Sequence, residues 1–368
     1  MKILVLGSNG YTGAPLCKYL ADKGHEIVAV DSYYKTKLMK KLCITPLVEP
    51  GEMEDDFIGY PITSVNVDVS APDNLYNIIA AYNPDTIVHL AQNPSAPYSM
   101  KSEDAAFDVI FNNLGANMRL IYAVMQHNPD IHIIKLGTLG EYGTPNVPIP
   151  EGWFECAYKG RTDKMLFPKR PHSMYHLSKV HDSDALAFGA RVWGLRVTDL
   201  NQGFVYGDYE NNRFTYDAIF GTVLNRFMVQ AVADEPLTVY GAGGQTRGAL
   251  HIKDTLRCIE LAAESPAKRG EFRVFNQFTE QFSINYLAKM VQEVGQDMGI
   301  KVKVDHIDNP RAEMEDHFYE AEHDALLELG LDPVLLTPDL LANMITYVEQ
   351  HASKIDTTQI APRIKWTS

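Results

Sequence analysis

The chain opens on an unbroken apolar run, Ile3-Leu4-Val5-Leu6, the pattern of a strand buried on both faces. Helical spacing follows over 12–23 and stops at Gly24, where a glycine favours a C-terminal cap. The alternation then repeats. Residues 26–31, 65–68, 86–90 and 131–136 predict further strands. Ser70-Ala71-Pro72-Asp73 carries a capping-box pattern, with Ser70 as the cap of a following helix. Longer helices are expected over about 103–127 and 172–190. Strands that alternate with crossover helices imply an α/β fold with a parallel, doubly wound sheet. The segment 32–60 is Lys-rich and then acidic, without clear period, and reads as an excursion over the surface.

The second half is less regular. Residues 192–200 should return to the sheet, 215–233 read as a helix, and 237–240 as a strand before the glycine-rich loop 241–244. Helical patterns recur near 254–264, 283–297 and 335–351, while 352–368 carries no readable period. There is no repeat, low-complexity tract or Ser/Gly linker, so a second domain should be interleaved with the first. The expected division is 1–200, with 237–275 returning to it, against 201–236 and 276–350 as a smaller C-terminal α/β domain for substrate.

Composition narrows the function. The 368 residues include 33 Lys plus Arg and 47 Asp plus Glu, a formal charge of −14. That balance argues against nucleic acid or an anionic membrane surface as partner, though not against an anion in a locally basic pocket. No apolar run reaches the ~18 residues of a spanning helix. The first strand begins at once, leaving no room for a leader, and Cys17, Cys43, Cys156 and Cys258 form no C-x-x-C pair. A cytoplasmic protein with free thiols is therefore expected. His172 and His176 stand four apart without a third ligand, so no metal is expected.

Gly7-Ser8-Asn9-Gly10-Tyr11-Thr12-Gly13 lies between the first strand and the first helix. Glycines there permit a tight turn, and the helix N-terminus favours a pyrophosphate. Asp31 closes the second strand 18 residues beyond Gly13. A carboxylate there can bond both ribose hydroxyls and would repel a 2′-phosphate, which favours NAD over NADP; Lys35 and Lys37 lie nearby. Tyr175-His176-Leu177-Ser178-Lys179 puts a tyrosine and a lysine on one helix face. A nearby ammonium stabilises a phenolate, as Tyr175 needs if it is to act as a base. Thr138 ends the fifth strand, where it can orient a substrate hydroxyl.

With these motifs in this order, the chain resembles the extended short-chain dehydrogenase/reductase superfamily of nucleotide-sugar epimerases and dehydratases. Within it, the resemblance is to the UDP-sulfoquinovose synthases. It rests on Ser95-Ala-Pro-Tyr-Ser-Met100, Lys135-Leu-Gly-Thr-Leu-Gly-Glu-Tyr-Gly-Thr-Pro-Asn146, Tyr175-His-Leu-Ser-Lys-Val-His-Asp-Ser183, Thr198-Asp-Leu-Asn-Gln-Gly203 and Gly243-Gly-Gln-Thr-Arg-Gly248. The resemblance implies a Rossmann-like NAD domain, a smaller domain clamping a UDP-sugar, sulfite as second substrate, and a homodimer built on two helices per subunit. It places Thr138, Tyr175 and Lys179 on catalytic positions. His176 and Glu141 are candidates for the C5 base and the acid at the C6 hydroxyl. Gly7, Asn9, Gly10, Tyr11, Gly13, Asp31, Asp68, Val69, Leu90, Ala91 and Asn113, with Tyr175 and Lys179, fall on cofactor positions. Gln202, Asn225, Tyr240, Gln245, Arg247 and Arg311, with Thr138, fall on substrate positions; Tyr240 is also readable as a core aromatic. The implied reaction oxidises C4 of UDP-glucose, eliminates water across C5–C6, adds sulfite at C6 and reduces C4 again. The chain departs from the synthases at Gln92-Asn93-Pro94, where they carry Glu-Gln-Arg. A UDP-hexose or UDP-hexuronate 4-epimerase or a 4,6-dehydratase, and a non-catalytic NAD-bound sensor, therefore stay open.

Overall fold

A computed structural model describes residues 1–49, 51–210, 213–311 and 318–366. Its centre is a seven-stranded sheet. The strands are β1 (Lys2–Leu6), β2 (Glu26–Asp31), β3 (Ile62–Asn66), β4 (Thr86–His89), β5 (His132–Thr138), β6 (Arg196–Gln202) and β7 (Phe272–Gln277). They lie in the order β7-β6-β5-β4-β1-β2-β3, every pair parallel. Side chains of a strand alternate between faces, so Ile3 and Val5 join one core layer while Leu4 and Leu6 join the other. Both layers are covered by helices, which is why the runs are apolar throughout. A separate core holds the helices Val223–Val232, Ile284–Asp297 and Pro338–Gln350, packed through Phe227, Val291 and Ile345.

The strand order reverses between β2 and β4 on either side of β1. Loops leaving the carboxyl ends there must diverge, and the crevice between them is where such sheets bind ligands. Gly7 and Leu90 follow β1 and β4 into that crevice.

Several elements differ from expectation, for local reasons. β3 starts three residues early, at Ile62, and ends two early, at Asn66, which leaves Val67 and Asp68 free to line the crevice. Ser70 caps no helix: its N–H and hydroxyl donate to Asp68 Oδ1 at 2.8 and 2.7 Å, and the helix starts at Asn74. The helix expected from 215 starts at Val223, because Asp217 Oδ1 accepts the N–H groups of Ile219 and Phe220 and holds a loop. Segment 32–60 is more than a surface excursion. It forms the helix Tyr34–Lys41 and buries Leu47 and Met53. Leu237–Tyr240 does not rejoin the central sheet but pairs with Val304–Ile307. Thr246–His251 pairs with Phe204–Tyr206 and Glu280–Ser283, so β7 alone carries the late return. An antiparallel hairpin, Trp153–Tyr158 with Arg161–Leu166, had no sequence signal. Among the described residues, no helix is long and apolar enough to cross a membrane.

Candidate active site

Two cavities meet at the carboxyl end of the sheet. The first, of about 290 Å³, is lined by Gly7, Asn9, Gly10, Tyr11, Gly13, Asp31, Asp68, Val69, Leu90 and Ala91, all expected cofactor positions. Its glycines are sterically required. A Cβ on Gly7, whose φ is +87°, would lie 2.6 Å from the Leu90 carbonyl, and one on Gly13 would lie 2.1 Å from the Gly7 oxygen. This close approach of backbone leaves a cradle at the start of the helix Gly13–Asp22, the arrangement that suits a pyrophosphate. Asp31 accepts the N–H groups of Asn9 at 2.8 Å and Tyr33 at 2.7 Å, so its carboxylate faces the cavity in one orientation. Burial raises its pKa and those N–H groups oppose the rise. Lys35 lines the same cavity, where burial lowers its pKa to about 8, while Lys37 turns away to the Ser32 carbonyl at 2.8 Å. The donor set fits a dinucleotide with free ribose hydroxyls.

The second cavity, about 330 Å³, is lined by Thr138, His172, His176, Arg226, Tyr240, Gln245, Arg247 and Arg311. Tyr175, Gln202 and Pro94 line both cavities, so Tyr175 stands where they join. The helix Met174–Trp193 delivers it. Ser173 caps that helix by accepting the His176 N–H at 3.2 Å, and the Tyr175 N–H donates to Ser99 Oγ at 3.0 Å. Burial and the negative field of Glu141 raise the Tyr175 pKa, and Lys135 opposes them. A stable phenolate here therefore needs added positive charge. Lys179, one turn on, donates to Gln92 Oε1 and to the Leu136 carbonyl. Burial and repulsion from Lys135 lower its pKa to about 8. Gln92 Nε2 in turn donates to Asp182, whose pKa burial raises to about 7.

Thr138 Oγ1 accepts the Gly140 N–H at 3.1 Å, which leaves its hydroxyl proton to donate to a ligand in the second cavity. The His176 ring lies against Gly140, where a Cβ would come within 2.3 Å of Nε2, and its Nδ1 is 2.9 Å from Ser173 Oγ. Burial and the charges of Arg311 and Arg247 lower its pKa to about 3, so the imidazole is neutral.

Three expected site residues lie away from the cavity expected for them. Glu141 lines neither cavity. It is fully buried, 3.0 Å from Lys135 and 2.7 Å from Lys169, and those cations overcome burial and hold its pKa near about 2. Asn113 also lies behind the wall: its amide clamps the Asn93 backbone at 2.8 and 3.2 Å and bonds Ser178 at 2.9 Å, while Asn112 reaches the first cavity. Asn225 sits on the first cavity rather than the substrate one, accepting the Gly207 N–H at 3.1 Å.

Buried cations that escaped the sequence reading include Arg226 and Lys135. Arg226 lines the second cavity, donating to the Tyr240 hydroxyl at 3.0 Å with no bond to its Nε. Lys135 is fully buried beneath Tyr175 and donates to Glu141, Ser183 and Asp199. Each breaks an apolar run, Phe-Met-Val after Arg226 and Ile-Ile before Lys135, which is the signature of a charge that must find partners inside. No group of His, Cys, Asp and Glu among the described residues could hold a metal.

The chain matches the NAD dependent epimerase/dehydratase family over residues 3–276. It is 42% identical over 380 residues to a chloroplastic UDP-sulfoquinovose synthase of Spinacia oleracea, covering 99% of this chain and 79% of that protein. It is 38% identical over 383 residues to a UDP-sulfoquinovose synthase of Sulfolobus acidocaldarius, covering 100% and 98%. Among solved structures, a UDP-glucose 4-epimerase of Thermotoga maritima with UDP-glucose shares the fold at a TM-score of 0.74 and 20% identity, covering 95% of this chain and 99% of that one. A UDP-glucuronic acid 4-epimerase of Bacillus cereus with UDP-glucuronic acid and NAD does so at 0.71 and 22%, with the same coverage.

Proposed function

Because the chain belongs to the NAD dependent epimerase/dehydratase family, and within it to the UDP-sulfoquinovose synthases, we propose that it makes UDP-sulfoquinovose from UDP-glucose and sulfite. The observation that carries this reading is the junction of a dinucleotide-shaped crevice with an arginine-lined cavity at Tyr175. NAD supplies the hydride acceptor for C4 of the sugar and the donor that later restores it. The chain's residues supply the rest. Tyr175 takes the C4 hydroxyl proton, the Lys179 ammonium stabilises the phenolate, and Thr138 donates to the same sugar oxygen. Arg247 and Arg311 hold the diphosphate, for which planar guanidinium groups suit paired oxygens. Once C4 is a ketone, the C5 proton is acidic. His176, which lines the cavity, is the candidate to accept it. Hydroxide then leaves C6 and takes up a proton as water, sulfite forms the new carbon–sulfur bond at C6 while a proton returns to C5, and the hydride restores C4.

One observation favours a second reading, a UDP-sugar 4-epimerase or dehydratase. Pro94 lines both cavities and brings no charge to the reacting end. Mass spectrometry after incubation with UDP-glucose and sulfite decides between them. A sulfonate in place of one hydroxyl supports the synthase; an isomer of unchanged mass overturns it. The homodimer belongs to the same proposal: Phe107 and Phe111 stack at 4.3 Å and stay exposed on one long helix, and Phe188 and Val192 are exposed on the helix packed beside it. Light scattering that finds a monomer would remove it. We assign the activity to the cytoplasm, which fractionation of the source cells tests.

A further inference from the structure

The last segment of the chain reaches the substrate cavity. Gln359 is 3% exposed and joins two distant loops: its amide bonds the Thr45 backbone at 2.9 and 2.8 Å and the Tyr216 hydroxyl at 2.5 Å. Ala218 N–H donates to the Gln359 carbonyl at 3.0 Å, beside the cavity-lining residues Ile219 and Phe220. From this anchor the chain crosses the cavity mouth, and the Trp366 N–H donates to the Pro310 carbonyl at 2.8 Å. The strap thus ties the loop on one side of the cavity to Pro310–Arg311 on the other.

Its end meets the site's chemistry. The Arg311 guanidinium carbon lies 5.4 Å from the Trp366 ring centroid and 5.7 Å from that of Tyr240. All three residues line the cavity. Among the described residues no carboxylate is within ion-pair distance of Arg311, so the two rings are its partners. Stacking uses the faces of a guanidinium and leaves its in-plane N–H donors for an anion. A long arginine held this way loses less conformational freedom when it binds.

We propose that Trp366 is a positioning residue for the nucleotide: its indole, with Tyr240, holds Arg311 in place to receive the diphosphate. This rests on the nucleotide-sugar reading of the cavity. The test titrates the NAD-loaded protein with UDP and, separately, with uridine. Trp366→Ala should weaken UDP about tenfold while uridine changes by less than about twofold. Trp366→Phe, which keeps a ring face, should stay within about threefold of the parent for UDP. In an Arg311→Ala background, Trp366→Ala should cost UDP nothing further. Unchanged NAD affinity in every variant confirms that the fold is intact. An unchanged UDP affinity in Trp366→Ala, an equal loss for uridine, or full additivity with Arg311→Ala overturns the inference alone. A parent chain that binds neither UDP nor uridine removes the nucleotide-sugar reading, and the inference with it.

Discussion

Gln92→Leu is nearly isosteric, yet it removes both hydrogen bonds that link Lys179 to Asp182. Lys179 then keeps the Leu136 carbonyl but loses its side-chain acceptor. Its ammonium is already disfavoured by burial and by Lys135, with Asp182, Glu141 and Asp199 pulling the other way, and its pKa stands at about 8. A hydrogen bond to a charged group contributes roughly 1.5–3 kcal/mol, so the lower end moves the pKa down by about one unit. The sign is fixed by which form works. Lys179 serves as the ammonium, present below its pKa and lost as pH rises through it. The alkaline limb of kcat/KM for UDP-glucose should therefore move down by about one pH unit in the variant. At pH about 8.5 the variant should be roughly tenfold slower, and at about 6.5 close to the parent. NADH absorbance on mixing with UDP-glucose alone follows the first half-reaction without sulfite. The displacement between the two profiles is the observable. Parallel profiles with one common limb would refute the role of Gln92 in holding Lys179.

Three other substitutions probe the rest of the site. Tyr175→Phe should abolish turnover while NAD stays bound, measured by product formation and by cofactor content of the purified protein; full turnover overturns the assignment of the base. Gly13→Ala puts a Cβ 2.1 Å from the Gly7 oxygen, so thermal unfolding should shift down by several degrees and NAD affinity should collapse; an unchanged melting temperature would contradict the close approach. Asp31→Ser removes the acceptor and the negative charge beside Lys35, so NAD should bind at least about tenfold more weakly and the preference over NADP should narrow. Equal affinity ratios before and after would show that Asp31 does not discriminate.

What could be read from the sequence follows from how strongly each segment is constrained. β1, β2 and β4 are covered on both faces, so their apolar runs are continuous and their ends nearly unambiguous. β3 is an edge strand, half-buried and mixed, and its boundary slipped by three residues. The placement of the glycine loop, Asp31 and Tyr175 at the crevice was legible because local spacing after a strand or along a helix fixes it. Glu141 and Asn113 were not, because a motif position says nothing about which way a side chain points. Both turn inward to satisfy buried partners. Trp366 was illegible for a different reason. The tail has no period of its own, and its place depends on Gln359 reaching Thr45, 314 residues away in sequence.

The second cavity carries its charge on three arginines. Arg226, Arg247 and Arg311 stand with Tyr240, Gln245 and Trp366, where a diphosphate would spread its charge over several guanidinium groups. Thr138, His172, His176 and Tyr175 line the reacting end of the same cavity, where burial and the charges of Arg311 and Arg247 keep His176 neutral. Beneath that end Lys135 and Lys169 are matched by Glu141 and Asp199, two cations against two anions, so the buried knot braces the helix of Tyr175 without adding net charge. In the proposed mechanism Thr138, Tyr175 and Lys179 serve the oxidation at C4, and the departure at Gln92-Asn93-Pro94 removes none of them. The synthase and the epimerase thus share a first step and separate at C6. Without an arginine at position 94, His172 is a residue of this cavity placed to receive a sulfite anion. If sulfonation occurs, His172→Ala should raise the KM for sulfite while leaving C4 oxidation intact. An unchanged sulfite KM would assign the anion to neutral donors instead.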